Sequence, residues 1–289
     1  MSNTIELAKS FVPKLDECYR LASLTSVLDG APELAKQGAN ANELIIPMMS
    51  MDGLADYSRN GGYVQGGVTM TNETVKCNFD RGRRFDVDVM DDLETAGLAF
   101  GRLSAQFIRD KVVPELDAFR FASYCGISGV TKKEETLADG AATVAALSAA
   151  VTAMDDEEVT ATGRYLFITP TLLQGINDMD TTKSKKVLEG FEQVIKVPQR
   201  RFYTAIKQLS GKTGEEAGGY TKAADAANIN FAIVQKDALI QYTKHAAPKI
   251  IAPENNPDAD AYVFGYRMVG IAKAYKNMLS GMYFSHDKA

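Results

Sequence analysis

The chain has 289 residues, of which 45% are hydrophobic, so it is long enough to form one large domain or two modest ones with real cores. Its 32 basic and 37 acidic residues give a net charge of −5, which excludes a general basic surface and tight sequence-specific binding of DNA. Three widely spaced cysteines, Cys18, Cys77 and Cys125, argue against a disulfide framework and indicate a reducing cytoplasm. The sequence has neither a signal-peptide pattern nor an apolar run of roughly 18 residues, so we expect neither secretion nor membrane insertion.

The N-terminal part of the chain combines a helical pattern with strand patterns. Residues 5–24 place apolar side chains on one helical face, which predicts a terminal helix that another part of the structure covers. Residues 44–49 form a short apolar strand, and Pro47 inside it indicates an edge or a bulge. Residues 57–79 contain four glycines and an alternating pattern, which predicts a long hairpin without a core of its own. Because such a hairpin buries little in its own subunit, we expect it to pack against a neighbouring chain.

A strand followed by a long helix occupies the centre of the sequence. In residues 84–89 charged and apolar side chains alternate, which is the period of a half-buried strand. Apolar residues then recur at spacings of three and four, which predicts a helix beginning near Asp92. Pro114 removes a backbone donor, so we predict a kink or a split near Val113. Both halves together span roughly thirty residues and about 45 Å, which makes this helix a spine for other elements or a contact between subunits. The predicted core residues of the spine are Leu93, Phe100, Leu103 and Phe107.

The second half of the sequence alternates between helices and strands, which indicates a mixed α/β lobe of about 120 residues and a strand-rich C-terminal end. In the last strands Tyr262, Phe264 and Tyr266 alternate, and we interpret them as packing residues. The predicted elements are helices at 141–154 and from Thr169-Pro170 onward, strands at 164–168, 197–206 and 229–234, a glycine-rich loop at 211–219, and a two-stranded ending at 262–275 and 278–284.

Two residue groups suggest ligand sites, but each has a simpler interpretation. Gly211-Lys212-Thr213 resembles part of a phosphate-binding loop, yet Ile206 stands where the first glycine is required and no helix pattern follows. The carboxylates at positions 86, 88, 91 and 92 offer the ligands of a hard cation. Three arginines lie beside them, so we prefer ion pairs within or between subunits to a metal site.

The remaining polar candidates do not combine into a catalytic site. His245 and His286 have no cysteine or acidic partners at metal-ligand spacing, which argues against zinc and against a histidine-based triad. Lysines 183, 185 and 186 form a basic patch without interleaved aromatic residues, which we interpret as a solvated loop. The sequence therefore predicts no catalytic residues, no cofactor, no bound metal and no enzymatic activity.

Three stretches, GLADY at 53–57, DRGR at 80–83 and VVPELDA at 112–118, resemble the major capsid proteins of tailed bacteriophages with the Hong Kong 97-like fold. GLADY at 53–57, followed by Arg59 and GGY at 61–63, resembles the approach to that family's extended loop. DRGR at 80–83, with Phe85, Asp88, Asp91 and Glu94, resembles its exit, and VVPELDA at 112–118 resembles the middle of its spine helix. Together these matches cover residues 44–125, and the strand and helix order after residue 160 agrees more loosely.

The resemblance implies an α+β fold with an N-terminal arm, an extended loop, a peripheral domain and an axial domain. The implied parts are the arm at 1–43, a peripheral strand and extended loop at 44–90 (the loop at about 55–80), the spine helix of the peripheral domain at 91–135, the axial domain at 136–255, and C-terminal strands returning to the peripheral and axial core at 256–289.

The resemblance also implies a structural function. Copies of the chain form hexamers and pentamers that close into the icosahedral head of a virion around double-stranded DNA, assembled in the cytoplasm of the host bacterium. The implied partners are the chain itself, a separate scaffolding protein, a portal, and packaged DNA bound non-specifically, with no membrane. Two alternatives stay open, namely an encapsulin-like shell that encloses cargo enzymes in a cell, and an α/β enzyme.

Residues on the extended loop and its exit are the expected contacts between subunits. Some relatives crosslink a lysine to an asparagine, and Lys76 lies in the extended loop, but no acceptor motif matches and we do not carry that chemistry over. The candidate contact residues are Tyr57, Arg59, Tyr63, Lys76, Arg81, Arg83, Arg84, Asp86 and Asp88.

Overall fold

A computed structural model of the chain describes residues 23–30, 36–37, 43–90 and 105–288. The predicted terminal helix falls almost entirely outside the described residues, and its last two positions, Ser23 and Leu24, are not helical. The predicted spine residues Leu93, Phe100 and Leu103 also lie outside the described residues, as does the predicted helix start near Asp92.

The first sheet is built on a long hairpin, formed by its second and third strands. It contains β1 (Lys36–Gln37), β2 (Glu43–Met51) and β3 (Val68–Lys76), all antiparallel, in the order β1-β2-β3. Among the described residues β1 reaches only Leu44 and Ile45, so Pro47 lies on an open edge where its missing N–H costs no ladder bond, as predicted. The hairpin predicted within 57–79 is wrong, because β3 pairs with β2 and the glycine-rich residues 52–67 connect them.

The second sheet contains β4 (Phe79–Asp88), β11 (Leu239–Ile251) and β12 (Ala261–Ala274), in the antiparallel order β11-β12-β4. The predicted alternation of β4 is confirmed, since Phe85 and Val87 are half-buried while the charged residues between them are exposed. Phe264 and Tyr266 of β12 pack against the spine helix, which confirms their interpretation as packing residues. Sequence patterning did not identify β11, because Pro248 and two lysines interrupt its apolar pattern.

The spine helix passes Pro114 without a break. Residues 105–107 are helical, Ile108–Val112 form a π-helical turn, and α1 (Val113–Cys125) follows directly. The N–H of Val113 donates to the carbonyl oxygen of Ile108, and both Val112 and Val113 keep helical backbone angles. Of the two predicted alternatives near Val113, a kink or a split, the split does not occur. The backbone irregularity there is a π-helical turn, which accommodates a proline that cannot donate.

The third sheet forms the centre of the second lobe. It contains β5 (Thr131–Glu134), β6 (Arg164–Ile168), β7 (Gln193–Lys196), β10 (Ile229–Gln235) and β13 (Met282–His286), in the order β5-β13-β10-β6-β7. One face packs under α2 (Gly140–Asp156), α3 (Pro170–Asp178) and α4 (Thr182–Glu189), and the other face packs on α1. Because helices cover both faces, β6 and β10 are buried at every residue.

One predicted strand in the second half of the chain is wrong. Residues 197–206 do not form a strand, because Pro198 ends β7 and a 3-10 turn (Gln199–Arg201) follows before the short hairpin of β8 (Ile206–Gln208) and β9 (Tyr220–Lys222). The two strands predicted for the end of the chain are present as β12 and β13, with β13 beginning four residues later than predicted. A 3-10 segment (Lys276–Gly281) redirects the chain, so β12 and β13 lie in different sheets.

A close contact between α2 and α3 yields a testable prediction. A Cβ on Gly140 would overlap the carbonyl oxygen of Gly175 and come within 2.7 Å of its carbonyl carbon. Because backbone atoms cannot rotate away, we expect Gly140→Ala to lower the free energy of unfolding by about 1–3 kcal/mol in urea denaturation. In the control Gly190→Ala the added Cβ lies in open space, so the free energy of unfolding should change by less than about 0.5 kcal/mol. Equal losses in the two variants would contradict the close contact.

Candidate functional site

Exposed apolar side chains are concentrated on the hairpin. Of the ten large hydrophobic residues exposed in the described part of the chain, eight lie between positions 49 and 70. Leu54 and Tyr63 are 108% and 90% exposed, so they have almost no cover from the described residues. Exposed apolar surface gathered in one place marks an interaction surface rather than the scattered exposure that is normal for a soluble protein.

Strand pairing organises four of these residues into one patch. Met49 lies opposite Met70, and Met51 lies opposite Val68. Directly opposed residues share a face of the sheet, and positions two apart along a strand do so as well. We call Met49, Met51, Val68 and Met70 the apolar patch. Sequence reasoning missed it, although apolar residues at 49 and 51 and at 68 and 70 carried the signal once the two strands are paired.

The hairpin loop brings together two predicted contact residues. The rings of Tyr57 and Tyr63 lie 5.0 Å apart, centre to centre, across a turn closed by backbone hydrogen bonds between Ser58 and Gly62. Gly62 has a φ of +74°, which a residue with a side chain rarely adopts. Arg59 is exposed on the same turn. The loop therefore presents two aromatic rings and a cation at its tip.

The base of the hairpin is fixed to the body. Lys276 Nζ lies 2.7 Å from Glu73 Oε1, and the Asn78 side chain both donates to and accepts from the backbone of Ala272 at 2.9 Å. Val75 joins a small core with Ile240 and Ile271. Lys76, at the end of β3, is exposed. The hairpin is thus anchored at one end and uncovered along its length by the described residues.

An open cleft of about 1160 Å³ lies between β4, the spine helix and the β8–β9 hairpin. Its volume exceeds that of typical small-ligand pockets, which is roughly 300–1,000 Å³. Its lining combines aromatic rings with more basic than acidic side chains. The basic lining residues are Arg81, Arg83, Arg84, Lys111, Arg200 and Lys222, and the acidic ones are Asp110 and Glu115.

Two of the predicted arginines hold the glycine-rich loop in place. Arg81 Nε donates to Glu115 Oε1 at 2.7 Å and Arg81 Nη2 donates to the carbonyl oxygen of Leu209 at 2.7 Å. Arg83 Nη2 donates to the carbonyl oxygen of Glu216 at 2.9 Å, and a Cβ on Gly218 would come within 2.8 Å of the Arg83 guanidinium. These arginines therefore join the strand that continues into the hairpin to a loop of the second lobe.

The third arginine pairs with the acidic run. Arg84 Nε lies 2.8 Å from Asp86 Oδ1, and this contact raises the pKa of the guanidinium. Asp88 accepts from the N–H of Met90. Among the described residues no three metal-ligating side chains are close enough to hold an ion, while Asp91 and Asp92 lie outside that part of the chain. Asp86 and Asp88 thus each have a local partner within this chain.

The loop at 211–219 lacks the geometry of a phosphate-binding loop. Glu215 accepts from Lys207 Nζ and from the N–H of Ser210, both at 2.7 Å, and these contacts lower the pKa of its carboxyl to about 2. The loop leads into strand β9 and not into a helix. This agrees with the sequence, in which no helix pattern follows the loop. The lysines at 183, 185 and 186 lie on helix α4, so their interpretation as a loop is wrong. No helix in the described ranges has the length and apolarity to cross a membrane.

Comparisons with known proteins give the fold. No protein-family model matches this sequence, and no curated protein matches it. A structure from Gordonia phage Cozz is similar with a TM-score of 0.60 and 10% identity, covering 93% of this chain and 87% of that one. A virus-like particle from Pyrococcus furiosus is similar with a TM-score of 0.58 and 10% identity, covering 96% and 98%.

The capsid structure of cyanophage P-SCSP1u is similar with a TM-score of 0.54 and 13% identity, covering 88% of this chain and 86% of that one. TM-scores of 0.54 to 0.60 over most of both chains, at identities of 10 to 13%, show a shared fold. The chain therefore has the α+β fold of these phage and virus-like-particle structures, as the sequence resemblance predicted.

Proposed function

We propose that this chain is the major capsid protein of a tailed bacteriophage, a structural protein whose work is self-assembly and not catalysis. The observation that carries the proposal is the anchored hairpin with its uncovered apolar patch, on a fold shared with shell-forming proteins. Full burial of a methionine or valine side chain stabilises by about 1.5–3 kcal/mol, so the patch favours association with another copy.

The proposed contact places the hairpin of one copy on the body of the next. Tyr57 and Tyr63 enter the neighbour's cleft, where the aromatic lining suits their two rings. The basic lining of the cleft suits Asp52 and Asp56, which lie just before Tyr57 on the same loop. Repeated around an axis, this head-to-tail contact closes rings, which we propose to be hexamers and pentamers. The rings build the virion head in the host cytoplasm, with a scaffolding protein and a portal as partners and double-stranded DNA held non-specifically.

A cellular shell is the second candidate, and one observation favours it. The virus-like particle from Pyrococcus furiosus matches the largest share of this chain among the three structures compared, 96%. Both candidates predict the same self-assembly and differ in contents. Nuclease-protected DNA inside purified particles supports the phage head, whereas protein cargo without DNA supports the cellular shell.

The apolar patch provides the test of self-assembly. We expect the combined variant Met49→Thr, Met51→Thr, Val68→Thr and Met70→Thr to need at least about tenfold more protein to associate, as measured by light scattering. Threonine keeps the strand propensity of these positions, so circular dichroism should be unchanged.

The matched control changes the other face of the same hairpin, with Ser50→Ala, Thr69→Ala and Thr71→Ala, and should associate like the natural chain. If the patch variant is folded and associates as readily as this control, the proposed contact is wrong.

A further inference from the structure

Residues 23–30 are held in the body by a network of buried and part-buried hydrogen bonds. Thr25 is fully buried, and Leu28 belongs to the core that surrounds α1. The partners of this segment come from distant parts of the sequence, for example Arg120 at 91 residues from Asp29 and Gln241 at 216 residues from Thr25. The segment is therefore attached by tertiary contacts and not by local structure.

The carboxylate of Asp117 on α1 is the centre of the network and has no exposed surface. It accepts from Ser23 Oγ at 2.9 Å, from Thr25 Oγ1 at 2.8 Å, and from the N–H groups of Leu24 and Thr25 at 3.2 and 3.3 Å. Its fifth donor is Arg201 Nη1 at 3.2 Å. A buried carboxylate requires such donors, and four of the five come from residues 23–25.

A second set of contacts ties the same segment to β11. Gln241 Nε2 donates to the carbonyl oxygen of Thr25 at 2.6 Å and to Asp29 Oδ1 at 2.7 Å. The backbone carbonyl oxygen of Gln241 accepts from the N–H of Gly30 at 3.1 Å. Arg120 Nη1 donates to Thr25 Oγ1 at 2.8 Å and Arg120 Nη2 to Asp29 Oδ1 at 3.2 Å. Residues 23–30 thus bridge α1 and β11, and the Asp117 carboxylate that holds them also pairs with Arg201.

We propose that residues 23–30 are a polar latch that opens and closes as one unit and holds α1 against β11. Hydrogen bonds lose most of their strength when stretched from about 2.9 to 3.6 Å, so a small shift of α1 against β11 breaks contacts at both ends of the latch. The state of the latch is thereby coupled to the packing of α1 against β11. The latch lies within one chain, so this inference does not rest on the proposed function.

Amide hydrogen exchange of the full chain, at a concentration where it does not associate, tests the latch by reading contacts that a substitution does not touch. Thr25→Val removes hydroxyl contacts to Asp117 and Arg120, and the readout is the Gly30 amide, which bonds to β11. Gln241→Leu removes contacts from β11, and the readout is the Leu24 and Thr25 amides, which bond to Asp117. In each variant these readout amides should exchange at least tenfold faster than in the natural chain. The acceleration should also exceed any acceleration of the β10 amides in the same variant.

Ser26→Ala is the matched control, because the Ser26 hydroxyl donates only to the carbonyl oxygen of Ser23 within the same segment. It should leave the Gly30, Leu24 and Thr25 amides unchanged. Independent contacts predict the opposite pattern, in which each variant accelerates only the amides beside its own substitution. That pattern would overturn the latch, as would acceleration that merely equals the change in β10.

Discussion

Replacing Phe121 with alanine should lower the free energy of unfolding by about 3–5 kcal/mol in urea or thermal denaturation. The Phe121 side chain is fully buried between α1 and the five-stranded sheet. Its ring centre lies 5.1 Å from that of Phe167 and 4.7 Å from that of Phe202, both edge-on. Truncation removes transfer energy and both ring contacts, and it leaves a cavity between elements that cannot close it.

Tyr63→Ala is the control for this prediction, since it removes an aromatic ring from a position that is 90% exposed. It should change the free energy of unfolding by no more than about 0.5 kcal/mol. A small loss in Phe121→Ala, comparable to that of the control, would show that α1 does not pack on the sheet as described.

Replacing Asp117 with alanine should also lower the free energy of unfolding by about 3–5 kcal/mol, because one partner of a buried ion pair is removed. Arg201, whose side chain is 13% exposed, loses its carboxylate partner, and four polar groups of residues 23–25 lose their acceptor. Urea denaturation near neutral pH measures the loss.

A double-mutant cycle with Arg201→Met separates the ion pair from the rest of the network. Since Arg201 without Asp117 is an unpaired, mostly buried cation, the double variant should be more stable than the sum of the two single losses predicts. Strict additivity, or a loss below about 1 kcal/mol in Asp117→Ala, would contradict the network.

Local patterns in the sequence predicted several elements well. The alternation in β4, the helical spacing of α2 and the apolar runs of β6 and β10 each depend on residues within one element. The predictions failed where the outcome depends on other parts of the chain. The sequence left open whether Pro114 kinks or splits the spine helix, and the structure has a continuous helix with a π-helical turn before the proline.

Strand partners explain most of the remaining differences. Residues 68–76 alternate like one arm of a hairpin, but the sequence does not state that the other arm is β2. The strands β12 and β13 follow each other along the chain, yet each finds its partners in a different sheet. Choosing among such pairings requires the register and the cores of the whole fold.

The candidate site was predictable only in part. Tyr57 and Tyr63 stand out because they flank glycines in a polar stretch, and the structure brings them together. The apolar patch requires the pairing of β2 with β3. The latch was not predictable. In the sequence Asp117 looks like an ordinary carboxylate in the first turn of a helix, and its partners Ser23 and Arg201 lie 94 and 84 residues away.

The central claim is that many copies of this chain build a closed shell. Negative-stain electron microscopy of the purified protein, with mass from light scattering on the same sample, tests it most directly. We expect rings of five or six copies or closed icosahedral shells. A uniform monomer or dimer that persists at high concentration, also after a lysate containing scaffolding protein is added, would contradict the claim.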